Sequence, residues 1–121
     1  MRSLIIIAHG SRRQASNDEV RLLAEQVRQL PGLAYDHVDV AFLELAEPSI
    51  PDSLASCAAR GATEIVAFPY FLAAGTHVAN DIPEIIEGFR QAHPDVQVRL
   101  TAHLGASALL PQVLLAVADS R

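Results

Sequence analysis

Residues 4–8 read Leu-Ile-Ile-Ile-Ala, an unbroken apolar run that stops at His9-Gly10-Ser11-Arg12. A strand with one face in water alternates apolar and polar residues, whereas a strand covered on both faces does not. Residues 3–8 are therefore expected to form an inner strand of a parallel sheet with helices on either side. A second apolar run, Ile65-Val66-Ala67-Phe68, has the same character, and it too is followed by a loop with a histidine, His77. If both runs lie parallel in one sheet, His9 and His77 come to the rim at its carboxyl ends, where open α/β sheets bind their ligands.

The rest of the chain alternates strand and helix. Ser16-Asn17-Asp18-Glu19 has capping-box spacing, and Val20, Leu23, Ala24, Val27 and Leu30 follow at helical intervals up to Pro31-Gly32. Residues 35–43 alternate around Val38, Val40 and Phe42 as a second strand. Ser49 is expected to cap a helix that carries Pro51 and Asp52 in its first turn and stops before Gly61. After a strand at 64–68, Asp81 with Glu84 predicts a helix start that accommodates Pro83 and runs to about His93. A strand at 96–101 and a helix at about 107–118 complete the chain. This order implies a three-layer α/β/α domain over residues 1–121 with a four-stranded parallel sheet and right-handed crossovers; a strand order of 2-1-3-4 is expected.

Composition narrows the function classes. The 121 residues are half apolar and 19% charged, enough for a core, and the net charge of −5 with no basic run argues against nucleic acid or an acidic membrane as partner. The first apolar stretch is too short for a signal peptide, and a membrane span needs about 20 apolar residues, so a cytoplasmic protein is expected. The one cysteine, Cys57, excludes an intrachain disulfide and reads as a buried thiol on a helix.

The expected rim gathers His9, Arg12, Arg13, Glu44, Glu47, His77 and His103. Gly10 and Gly75 let the backbone turn beside the two histidines. Two imidazoles with a carboxylate suit a borderline divalent ion such as cobalt, nickel, iron or zinc. Two ligands are too few for a closed structural site, which points to an ion held weakly and passed on. His37 opens a strand and His93 ends a helix, where a cation is favourable, so neither is expected at the site. Tyr70, Phe71, Leu72, Ala73 and Ala74 are apolar residues in an expected surface loop. They fit either a small satellite core or the wall of a pocket for a flat, hydrophobic ligand. A receiver domain would need an acidic pair after the first strand, and a histidine phosphatase would need arginine before the first histidine; Ala8 and His9 stand there instead.

Four blocks in order carry a resemblance: His9-Gly10-Ser11-Arg12; residues 41–51, AFLELAEPSIP; Pro69-Tyr70-Phe71-Leu72 with Gly75-Thr76-His77 and Asp81-Ile82-Pro83; and Leu104-Gly105. They span nearly the whole chain, which thereby resembles the short CbiX-type sirohydrochlorin chelatases of the class II chelatase family. The resemblance implies insertion of a divalent metal into sirohydrochlorin in cobalamin or sirohaem-type biosynthesis. Co2+ is the first expectation, with Fe2+ and Ni2+ as rivals and a non-catalytic metal or tetrapyrrole carrier as the alternative. It implies His9 and His77 as catalytic residues and metal ligands, with His9 also a proton acceptor. Glu47, Leu72, Ala73, Ala74, Gly75 and Thr76 would contact the macrocycle. It further implies a homodimer, and no permanently bound cofactor, the metal being a substrate. The substrate's carboxylates need local partners in this acidic chain, and Arg12, Arg13 and the N–H groups at the helix starts after the rim loops are the candidates. The histidine-rich insertion of some archaeal relatives is missing here, where only His93-Pro94-Asp95 stands, and His103 occupies a place that is more often acidic or proline.

Overall fold

The computed structural model describes residues 1–73 and 75–121, with His77 described by its backbone alone. Strand β1 (Arg2–Ala8) lies inside a four-stranded parallel sheet between β2 (His37–Phe42) and β3 (Glu64–Pro69), and β4 (Gln97–Leu100) pairs with β3. The strand order is β2-β1-β3-β4, the 2-1-3-4 order expected, although the alternation by itself does not set it.

The unbroken run in β1 is explained by its two covered faces. Ile5 and Ile7 point to a core with Ile50, Leu54, Ile65 and Ile82, contributed by α2 (Ile50–Ala59), β3 and α3 (Thr76–Ala92). Ile6 and Ala8 point the other way, into a core with Val20, Ala24, Val38 and Phe42, contributed by α1 (Gln14–Arg28) and β2. Each buried aliphatic side chain contributes roughly 1.5–3 kcal/mol, so a one-residue slip of β1 would exchange two packed faces at once.

Several boundaries differ from the sequence expectation. The Ser16 capping box does not form: α1 begins at Gln14 with Arg13 at the cap and no side-chain cap bond. Asn17 is buried instead. Its Nδ2 donates to the Ser11 carbonyl at 2.8 Å and its Oδ1 accepts from the Ser11 amide at 3.0 Å, which satisfies the loop after β1. The helix also stops short of Leu30, at Arg28, whose Nε donates to the Val38 carbonyl at 2.9 Å.

Asp81 likewise caps nothing, because α3 starts five residues earlier, at Thr76. Ile82, Ile86 and Phe89 recur on its buried face, and Val78 joins them one turn before Asp81, so the packing stripe outweighs the local cap signal. Ser49 does cap α2, accepting from the Asp52 amide at 3.2 Å. The final segment divides into a 3-10 turn, Leu104–Ala106, and α4 (Leu110–Asp119). None of α4 is buried: Val113, Leu114, Leu115 and Val117 are 54–68% exposed. Among the described residues no helix is long and apolar enough to cross a membrane.

Cys57 is fully buried, and burial pushes its thiol up, with Asp39 adding to the effect. Such a thiol stays protonated and inert. Gly88 lies exposed in the interior of α3, and a Cβ there would meet nothing within 4 Å. Gly88→Ala is expected to stabilise the fold by about 1 kcal/mol. A thermal melt should show a rise of about 4 °C.

Candidate functional site

The parallel strands deliver their carboxyl ends to one rim, and the pairing of β1 with β2 continues past them. The Leu43 amide donates to the Ala8 carbonyl at 2.9 Å, and the Glu44 amide to the His9 carbonyl at 3.0 Å. These bonds set the two side chains beside each other: His9 Nε2 lies 2.8 Å from Glu44 Oε1. The side chains are 53% and 56% exposed, so the pair is open to an incoming ligand.

The close approach has a backbone cause. Gly10 has φ +94°, and a Cβ at that position would sit 1.7 Å from the Glu44 carbonyl oxygen. Only glycine meets both conditions. On the other side of His9, Phe71 presents an edge-on ring with centroids 6.4 Å apart.

His9 and Glu44 open onto a groove of about 510 Å³ whose far wall is α3, through Val78, Asp81, Glu84 and Ile85. No lysine or arginine lines it among the described residues, while Glu44, Asp81 and Glu84 do, so the groove favours a cation over an anion. His9 with Glu44 offers one nitrogen and one carboxylate donor, a set that suits a borderline divalent ion. Behind Val78 lies a smaller apolar slot of about 180 Å³, lined by Phe71, Ile82, Leu100 and His103 among others.

The residues expected at the site fall into three groups. His9 and Glu44 meet directly, and the backbone of His77 follows Thr76 in the first turn of α3, next to the groove-lining Val78. Leu72, at 71% exposure, Ala73 and Gly75 are exposed between β3 and α3, with Gly75 at the helix cap and the exposed Thr76 opening the helix. Ala74 and the His77 side chain lie outside the described residues. Arg12 is exposed on the loop after His9. Glu47 and His103 do not line the His9 groove: the Glu47 carbonyl accepts from Arg21 Nη2 at 3.0 Å, and His103 borders the apolar slot. Sequence reasoning missed Asp81 and Glu84 as groove residues. The available signal was their helical spacing from Val78, hidden by placing the helix start at Asp81.

The CbiX family model matches residues 3–120. The chain belongs to the CbiX family. Its fold matches a putative cobalamin biosynthesis CbiX protein of Marinobacter aquaeolei VT8 with TM-score 0.77 and 30% identity, over 98% of this chain and 92% of that one. The sirohydrochlorin chelatase SirB of Bacillus subtilis subspecies spizizenii, solved with cobalt, matches with TM-score 0.81 and 25% identity over 98% of this chain but 50% of its own. Among sequences, the chloroplastic sirohydrochlorin ferrochelatase of Arabidopsis thaliana is 36% identical over 92% of this chain and 48% of its own length. The sirohydrochlorin cobaltochelatase of Methanococcus aeolicus is 37% identical over 71% of this chain and 59% of its own length. This CbiX chain therefore spans about half to three-fifths of the length of these two relatives.

Proposed function

We propose that this CbiX chain inserts a divalent metal, with cobalt ahead of iron and nickel, into sirohydrochlorin. The observation that carries this reading is the hydrogen-bonded His9–Glu44 pair, open to a groove that no lysine or arginine lines among the described residues. Metallation strips water from the ion and removes two pyrrole protons. In the tautomer with Nε2 protonated, His9 donates to Glu44 and leaves Nδ1 free to accept. Glu44 then stabilises the imidazolium formed when His9 takes a pyrrole proton. A metallated nitrogen is not a base, so the two duties of His9 are separated in time. His77 is assigned as second metal ligand, on its backbone position in the first turn of the helix that walls the groove.

Residues 72–76 are assigned to the face of the macrocycle, with Arg12 meeting its carboxylates and Glu47 contacting it from the β2 side. Relatives named as ferrochelatases and as cobaltochelatases both align with this chain, so donor type alone does not choose the metal. A homodimer is part of the proposal. It is supported by the bare apolar surface of α4 and by the match of this chain to half of the SirB chain.

The test mixes protein, metal-free sirohydrochlorin and Co2+, Fe2+ or Ni2+ without oxygen and follows the absorption change against a protein-free blank. The wild type should accelerate metallation with turnover. Glu44→Gln keeps the shape but loses the charge that holds the imidazolium, and kcat/KM should fall about tenfold or more. Stoichiometric binding without turnover would overturn the enzyme and leave a carrier.

A further inference from the structure

The loop after β3 and the turn after β4 meet at one point. The Gly105 amide donates to the Phe71 carbonyl at 2.9 Å. A Cβ on Gly105 would fall 1.6 Å from the Leu72 carbonyl oxygen and 2.5 Å from its carbonyl carbon. The Leu72 peptide therefore occupies the space that any side chain at 105 would need. The turn is itself anchored, since Ala106 donates to the His103 carbonyl at 3.0 Å and Thr101 to the Ala67 carbonyl at 3.0 Å. Among the described residues, the Gly105 bond is the one backbone tie on the loop between Tyr70, which donates to Ile7, and Gly75, which accepts from Ala79.

We infer that Gly105 is a positioning residue that holds Phe71 and Leu72 at the rim, and so sets the surface on which the macrocycle rests. The inference depends on the assignment of the loop to the macrocycle under the proposed function. Gly105 and Leu72 belong to neither hydrophobic core. Phe71 stands edge-on to His9, and Leu72 leads toward Gly75 and the start of α3. Phe71 packs against the core of Ile82 and Ile86, so disturbing the interlock displaces the exposed Leu72 before it disturbs the fold. His9 and Glu44 are held separately, through the Ala8–Leu43 and His9–Glu44 backbone bonds.

Gly105→Ala in the whole chain is the test. The KM for sirohydrochlorin should rise about tenfold or more, while the KM for Co2+ changes less than about twofold, because a displaced loop misplaces the ring but not the His9–Glu44 pair. The amide of residue 105 should exchange about tenfold or more faster while the β1 amides keep their protection. Unchanged KM values in a folded variant would overturn the inference, and so would two KM values rising together with a lowered melting temperature. The wild type supplies a reading that needs no variant: a Gly105 amide exchanging at an unprotected rate would also overturn it. Should the wild type bind sirohydrochlorin without metallating it, the chelatase reading falls. The Gly105 inference is then decided by the same comparison made on the dissociation constant for metal-free sirohydrochlorin, where an unchanged constant overturns it.

Discussion

His9→Ala is expected to reduce metallation of sirohydrochlorin by roughly hundredfold or more, the range in which loss of a positioned acid–base group falls. The side chain is half-exposed, and its strongest partner, Glu44, is equally open. Stability should therefore change by no more than about 0.5 kcal/mol. Melting curves that superimpose, together with absorption traces close to the blank, would separate lost chemistry from lost fold. A variant that kept more than a tenth of the wild-type rate would place the proton and metal work elsewhere on the rim.

Gly10→Ala should act on both fold and rate. The native φ of +94° is hostile to a side chain, and the added carbon would overlap the Glu44 carbonyl at 1.7 Å. Left-handed strain and overpacking together should cost about 3 kcal/mol, read as a lowered urea midpoint with an unchanged slope. The fraction that remains folded must also push Glu44 away from His9, so its rate should fall toward that of Glu44→Gln. An alanine variant with wild-type stability would mean that the loop after β2 yields freely, and that His9 and Glu44 are not held by it.

Much of the scaffold was legible because it depends on patterns that burial enforces. The unbroken Leu4–Ala8 run named an inner strand, and Ser49 with Pro51 and Asp52 named a helix start that the structure keeps. Ser16 and Asp81 misled for one shared reason: a capping box is a local signal worth about 1 kcal/mol, and tertiary demands outweigh it. Asn17 is committed to the backbone of Ser11, and the apolar stripe through Val78 and Ile82 carries α3 back to Thr76.

The rim position of His9 was legible, but its carboxylate partner was not. Glu44 and Glu47 are three residues apart in a rim loop, and spacing does not say which one turns inward. Leu45, with φ +64°, reverses the chain between them; Glu44 stays paired with the β1 end while the Glu47 carbonyl meets Arg21 on α1. A non-glycine residue in that region is uncommon, and nothing in the composition of the loop announces it.

The double-sided packing of β1 has a consequence for how such a protein can diversify. Ile5, Ile6, Ile7 and Ala8 are each committed to one layer or the other, which leaves the strand no side chain with which to tell one transition metal from another. Under the proposed function, discrimination among metals falls to the segments beyond the strand tips. Those segments can be rewritten residue by residue while the frame beneath them keeps its stability and its geometry.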